Sequence, residues 1–184
     1  IPALAAGNAV VFKPSELAPA VGDWMARIWR DSGLPMGVLE IVQGHAETGR
    51  HLALHPSVDG ILFTGSYAVG RSLQGELLDQ PGKILALQMG GKNAMIVLDD
   101  AELDLAVSEA AISICATTGQ RCSALSRIFV ENSRMEEFAA SLSRVLAGVQ
   151  IGAPLEPEVF MGPLFSRAAF EKEKRYRGQA AAAG

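Results

Sequence analysis

Short apolar runs of strand length alternate with longer segments of helical period, and this alternation constrains the fold more than any other feature of the chain. Ala9-Val10-Val11-Phe12, Leu39-Glu40-Ile41-Val42, Gly60-Ile61-Leu62-Phe63-Thr64 and Lys83-Ile84-Leu85-Ala86-Leu87 are rich in branched side chains and read as strands. The first ends at Lys13-Pro14, where the chain opens into a loop. Val21, Trp24, Met25, Ile28 and Trp29 then recur at three- and four-residue intervals, a broad apolar stripe that closes at Gly33. A short helix around Thr48 to His55 and another after Gly70, through Leu73, Leu77 and Leu78, fill the next intervals. Strand, helix, strand, helix in alternation predicts an α/β fold with a parallel sheet covered on both faces, and places Trp24 and Trp29 in its core.

The paired glycines Gly90-Gly91 free the backbone between two rigid units, so the expected organisation is one domain portion over residues 1–90 and a second over 91–184. Ala94-Met95-Ile96-Val97-Leu98 begins the second portion as a strand. Asp99, Asp100 and Glu102 sit where acidic groups favour a helix N-terminus, and the helix that follows runs through Leu105, Ala106, Ala110 and Ile114 towards Cys122. Arg127-Ile128-Phe129-Val130 reads as a further strand and Met135 to Val149 as an amphipathic helix, while the charge run from Glu171 to Arg177 is the solvated face of a last helix. The first residues read as the end of a helix already under way and the last as one barely finished, so both ends look cut.

Composition narrows the function classes. Across 184 residues, 49% hydrophobic and 20% charged residues are those of a soluble globular chain, and a net charge of −4 leaves no basic face for nucleic acid. No apolar run is long enough to cross a membrane and no basic stretch suits a lipid surface, so the expected ligands are small. Cys115 and Cys122 are the only cysteines, at a spacing that matches no zinc ribbon, redox pair or disulfide framework, which favours a reducing, cytoplasmic setting. His45, His51 and His55 lie in one neighbourhood, but no third ligand completes a metal pattern; they are assigned to the surface and no metal is expected.

Four segments carry chemistry. Thr117-Thr118-Gly119-Gln120-Arg121-Cys122-Ser123 places a cysteine after a helix and beside a cation; a thiol there is either a nucleophile or a small buried hydrophobe. Phe63-Thr64-Gly65-Ser66-Tyr67-Ala68-Val69-Gly70 follows a strand and opens a helix, so backbone N–H groups at Gly65, Ser66 and Gly70 and the positive helix end can meet a pyrophosphate, although such glycine spacing also occurs in plain turns. Lys13 and Glu16 stand at the carboxyl end of the first strand, the edge where open α/β sheets hold ligands; two charges flanking a proline are otherwise only solubilising. Leu87-Gln88-Met89-Gly90-Gly91-Lys92-Asn93 closes the first unit.

In this order and spacing, and with Phe160-Met161-Gly162-Pro163-Leu164 further on, these segments resemble the aldehyde dehydrogenase superfamily. Within it, Phe12-Lys13-Pro14-Ser15-Glu16-Leu17, Gly33-Leu34-Pro35, Val42-Gln43-Gly44 and Lys83 to Leu87 look most like the succinylglutamate-semialdehyde branch. The resemblance implies a Rossmann-like cofactor-binding sheet portion followed by the start of an α/β catalytic domain, the chain being a middle slice of a longer, homo-oligomeric enzyme. It implies NAD at Gly65, Ser66 and Gly70, with Ser66 on a phosphate and Lys13 and Glu16 at the adenosine ribose; a carboxylate there repels a 2′-phosphate, which favours NAD over NADP. It implies Cys122 as the nucleophile that adds to a small, acidic semialdehyde, aided by Arg121 or a nearby helix end, its own N–H donating to the oxyanion. Cys115, on an apolar helix face, is assigned to the core.

Gln88 departs from the family pattern, in which that position is a glutamate that activates water against the acyl-thioester. An amide cannot accept a proton as a general base. Three readings stand: Gln88 orients a water, the acyl group passes to a thiol such as coenzyme A, or the substitution impairs turnover. An asparagine that completes the family's oxyanion hole would precede Ile1, and a glutamate that holds the nicotinamide ribose would follow Gly184, so a reading of a different class is a non-catalytic fragment with residual nucleotide binding.

Overall fold

The computed structural model describes residues 1–183 and divides into two compact units, Ile1–Gln88 and Met89 onward. The first unit contains α1 (Pro2–Ala5), β1 (Val10–Phe12), α2 (Pro19–Asp31), β2 (Leu39–Ile41), α3 (Ala46–Leu54), β3 (Gly60–Thr64), α4 (Tyr67–Glu76) and β4 (Ile84–Gln88). β1 pairs with β2 in parallel, Val10 opposite Leu39 and Phe12 opposite Ile41, and β3 with β4, Gly60 opposite Ile84 and Thr64 opposite Gln88. Parallel neighbours need a crossover, and α2 and α4 supply it, as the alternation predicts.

Two expectations need correction. Instead of one sheet covered on both faces, this unit has two separate two-stranded pairs. In the β3–β4 pair Ile61, Phe63, Leu85 and Leu87 are half-buried, while Leu62 at 75% and Ile84 at 68% exposure stand on a bare opposite face. The stripe on α2 has the period expected but the buried line is different: Gly22 and Ala26 are buried, Met25 and Trp29 half-buried, and Val21, Trp24 and Ile28 exposed. Steric room decides this. A Cβ on Gly22 would lie 2.6 Å from the Pro14 ring carbons and 3.7 Å from Phe12, so only small residues fit where α2 crosses the end of β1. Trp24 therefore lies outside the core.

Helix ends also differ from the sequence reading for identifiable reasons. α4 begins before Gly70, at Tyr67, because the Ser66 hydroxyl accepts from the Val69 N–H at 3.3 Å and caps the first turn. α3 is closed by Lys83, whose Nζ donates to the carbonyls of Ala53 and His55, both at 2.9 Å, satisfying acceptors at the negative end of the helix.

The second unit contains β5 (Asn93–Val97), α5 (Leu103–Cys115), β6 (Leu125–Val130), α6 (Met135–Ala147) and α7 (Arg167–Ala183). β5 and β6 are parallel, with a register shift that sets Asn93 opposite Leu125 but Ala94 opposite Arg127. Val97, Val107, Ala110 and Phe138 form its buried cluster, joined by Met95, Leu125, Ile128, Val130 and Leu142. α5 ends at Cys115 rather than continuing towards Cys122. The charged last helix buries none of its residues, in agreement with the solvated face predicted for it.

Two interior helix glycines should respond oppositely to alanine. Gly22→Ala should destabilise by about 1–3 kcal/mol through its clash with Pro14. Gly75→Ala, with nothing within 4 Å of its added Cβ, should stabilise by about 0.4–1 kcal/mol. Urea midpoints of the two variants against the parent check the signs.

Candidate active site

In the first unit the predicted cofactor residues gather where strands end and helices begin. Lys13 leaves β1 with its stem half-buried, and Nζ donates to the carbonyls of Pro14 and Gly44, both at 2.8 Å, before facing Glu16 Oε2 at 3.6 Å. Two of its three N–H bonds are thus spent on the loop. Lys13 clamps the ends of β1 and β2 together and presents Glu16, rather than standing free for a ligand. Gly49, in α3, makes room for it, since a Cβ there would lie 3.2 Å from Lys13 Cε.

Glu16 is the exposed acceptor of this group. Its own backbone N–H, then the Lys13 cation and more weakly His45, hold its carboxyl below the ordinary value of 4.5, overcoming a partial desolvation that pushes the other way. His45, assigned to the surface from sequence, therefore contributes to the field at Glu16; it is also the residue from which α3 begins. His55 Nδ1 accepts from the Ser57 N–H. No group of three or more His, Cys, Asp or Glu able to hold a metal ion occurs among the described residues.

At the end of β3 the structure revises which atoms can meet a phosphate. The Gly65 N–H donates to the Gln88 carbonyl at 3.0 Å, and the Gly70 N–H to the Ser66 carbonyl at 3.0 Å. Neither glycine has the bare N–H expected of it. Gly65 instead leaves room for the Phe63 ring, whose tip would lie 2.4 Å from an added Cβ and would have to turn aside, and Gly70 is buried inside α4. The open donors are the first-turn N–H groups of Tyr67 and Ala68, which have no partner among the described residues, together with the exposed Ser66 side chain. Gln88 ends β4 beside them, its side chain exposed and its carbonyl continuing the ladder to Gly65.

In the second unit Cys122 lies on a turn closed by the Ala124 N–H on the Arg121 carbonyl at 3.1 Å, and it is exposed; its backbone N–H has no partner among the described residues. The helix end upstream of it is a carboxyl end with partial negative charge, so of the two aids suggested from sequence only the Arg121 cation has the right sign for a thiolate. Between helix and cysteine, Thr117 and Thr118 take left-handed φ of 53° and 58°. Branched residues there are costly, about 1–2 kcal/mol each. Thr118 Oγ1 donates to the Gly162 carbonyl at 3.0 Å, and Gln120 accepts from the Phe165 N–H at 3.0 Å, which ties the turn to the Gly162-Pro163 segment. The sequence reading did not foresee these ties, nor Asn93, whose amide reaches the same turn; its one sequence signal is a polar residue opening an apolar strand.

Cys115 is buried in α5, and burial pushes its thiol up, as its assignment to the core requires. Iodoacetamide at neutral pH should therefore label Cys122 well before Cys115, as read by peptide mapping after partial alkylation; preferential labelling of Cys115 would remove Cys122 as a candidate nucleophile.

Comparison with known proteins places these features in a family. The chain is 47% identical over 174 residues to an N-succinylglutamate 5-semialdehyde dehydrogenase of Erwinia tasmaniensis, covering 94% of the chain and 36% of that protein. Among solved structures it is similar to a putative aldehyde dehydrogenase from Burkholderia cenocepacia, with TM-score 0.94 and 39% identity over 100% of the chain and 37% of that one. It is also similar to a betaine aldehyde dehydrogenase double mutant from Staphylococcus aureus in complex with NAD+, with TM-score 0.92 and 33% identity over 100% of the chain and 36% of that one. The chain thus spans about a third of the length of the relatives it matches. The aldehyde dehydrogenase family model matches residues 1–184, and the chain belongs to that family.

Proposed function

We propose that the protein carrying this chain oxidises a small, acidic semialdehyde to the acid level with NAD, through a covalent adduct on Cys122. The observation that carries this reading is the contrast between its two cysteines: Cys122 is exposed on a turn with an open backbone N–H, while Cys115 is buried. In this reading the unit ending at Gln88 is part of an NAD-binding domain, and the unit that follows begins the thiol domain. The likeness to a semialdehyde dehydrogenase supports the substrate class. A homo-oligomer in a reducing cytoplasm belongs to the same reading.

The cofactor residues suit a dinucleotide. The Tyr67 and Ala68 N–H groups, the Ser66 hydroxyl and the positive end of α4 offer donors to a pyrophosphate. Glu16, ionised and held by Lys13, accepts from two ribose hydroxyls and repels a 2′-phosphate. NAD, when bound, takes up the hydrogen and electron pair that the oxidation releases. Cys122 forms the carbon–sulfur bond, its N–H donates to the oxygen that gains charge, and loss of that hydrogen with its electrons leaves a thioester on sulfur. Attack at the thioester carbon by water or a thiol then frees the acyl group and returns the cysteine.

Gln88 bears on this last step. Its amide has no basic atom, so it can hold an attacking water through its carbonyl or N–H₂ but cannot take the proton. This favours slow hydrolysis, and the second reading is transfer to a thiol such as coenzyme A.

Two experiments on the full-length protein test these assignments. NAD should bind more tightly than NADP in fluorescence titrations, and Glu16→Gln should narrow the gap. Because the folded carboxyl is held below 4.5, its charge and the preference resting on it are present above that value and fade only as the pH falls through the lowered one; equal affinities in the parent would exclude the ribose role. In stopped-flow measurements the parent should release close to one NADH per active site in a burst and then turn over slowly. Gln88→Glu should raise the steady rate within the ~10²–10⁴-fold range of general-base catalysis and leave the burst in place. Restoration of the parent's turnover by coenzyme A alone would instead establish the acylating route.

A further inference from the structure

We propose that Asn93 is a positioning residue for the thiol turn, a role that rests on the reading of Cys122 as nucleophile. Asn93 opens β5, and its Nδ2 donates both hydrogens to the turn: one to the Cys122 carbonyl at 2.7 Å and one to the Ala124 carbonyl at 2.9 Å. A single planar NH₂ therefore fixes the Cys122–Ser123 and Ala124–Leu125 peptides, which flank the Ser123–Ala124 peptide between them. The cysteine's own carbonyl is one of the two anchored groups.

Two further features of the second unit point the same way. The register shift between β5 and β6 falls at Asn93, since Asn93 lies opposite Leu125 while Ala94 lies opposite Arg127, so Ser126 is an extra residue on β6. Bulges of this kind re-aim side chains and are common beside active sites. Gly91 supplies the second feature: a Cβ there would lie 2.9 Å from Asn93 Oδ1 and 3.1 Å from the Cys122 carbonyl oxygen. The strand can approach the turn closely enough for the amide to span both carbonyls only because Gly91 has no side chain.

The anchor has a specific purpose in this turn. The left-handed Thr117 and Thr118 store strain, and in the turn that follows, Arg121, Cys122 and Ser123 are exposed, with only Ala124 buried. Asn93 ties this turn to β5, which pairs with β6 and carries Val97 of the buried cluster. It thereby fixes the direction of the Cys122 N–H and the approach to its sulfur, without touching substrate.

The test uses the full-length protein with Asn93→Leu, similar in size and without donors. The NADH burst should slow about 10- to 100-fold, the loss expected when a reacting group is misplaced by a fraction of an ångström to an ångström. Amide hydrogen exchange over 121–125 should quicken about 10-fold, as two anchoring hydrogen bonds are lost. NAD affinity and exchange elsewhere should stay within twofold. If either the burst or the local exchange remains within twofold of the parent, or if exchange quickens throughout the protein, Asn93 is not a positioning residue. Should Asn93→Leu fail to fold, Gly91→Ala decides, because it keeps the amide and displaces it: a slower burst with faster exchange at 121–125 supports the role, and an unchanged pair overturns it. Cys122→Ala reports separately on the nucleophile. A burst surviving in that variant removes the nucleophile reading, and with it the positioning role in catalysis, while the exchange result still reports whether Asn93 anchors the turn.

Discussion

Parallel strand pairing is the constraint on which the first unit depends. Each strand must be followed by a crossover, so carboxyl ends of paired strands lie at one edge and the crossover helices begin there. β1 delivers Lys13, β2 leads to Gly44, β3 to Ser66, and β4 ends at Gln88. Lys13 and Gly44, 31 positions apart, meet in one small group and Gly65 and Gln88, 23 apart, in another, without any long-range signal in the sequence. The N-terminal dipole of α4 then adds a positive field at Ser66 that no ionised side chain has to provide.

The thiol turn follows a different logic. It sits after the carboxyl end of a helix, where the dipole has the wrong sign for an anion, and its backbone passes through two left-handed threonines. Helix geometry does not create this site. Side-chain hydrogen bonds impose it: Thr118 on the Gly162 carbonyl, Gln120 with the Phe165 N–H, and Asn93 on the turn itself. Cys122 itself is exposed and only Ala124 of its turn is buried, so directional polar contacts supply much of what packing supplies elsewhere.

What was legible in the sequence divides along the same line. Strand and helix periods located β1 to β6 and their alternation because these depend on local side-chain pattern. The same pattern misplaced Trp24, since the buried line of α2 is chosen by the room beside Pro14, a contact made through space. The motif after β3 correctly marked a helix start at a sheet edge, but a glycine in sequence does not reveal whether its N–H is free. The Gly65 N–H is taken by Gln88, 23 residues away, and the donors left open belong to Tyr67 and Ala68. Lys13 likewise reads as a free cation until its bonds to Pro14 and Gly44 are seen.

Gln88 shows how these two logics separate geometry from chemistry at one residue. Its place at the end of β4 is set by main-chain pairing, Thr64 opposite it and the Gly65 N–H on its carbonyl, and neither contact involves its side chain. Exchanging a carboxylate for an amide at this position therefore leaves the strand end where it is. The side chain keeps nearly the same shape and hydrogen-bonding reach and loses its capacity to accept a proton. Against the carboxylate that the resemblance implies, Gln88 is thus a change of charge and basicity on a fixed frame, and under the proposed function it bears on proton transfer rather than on how the strand end is built.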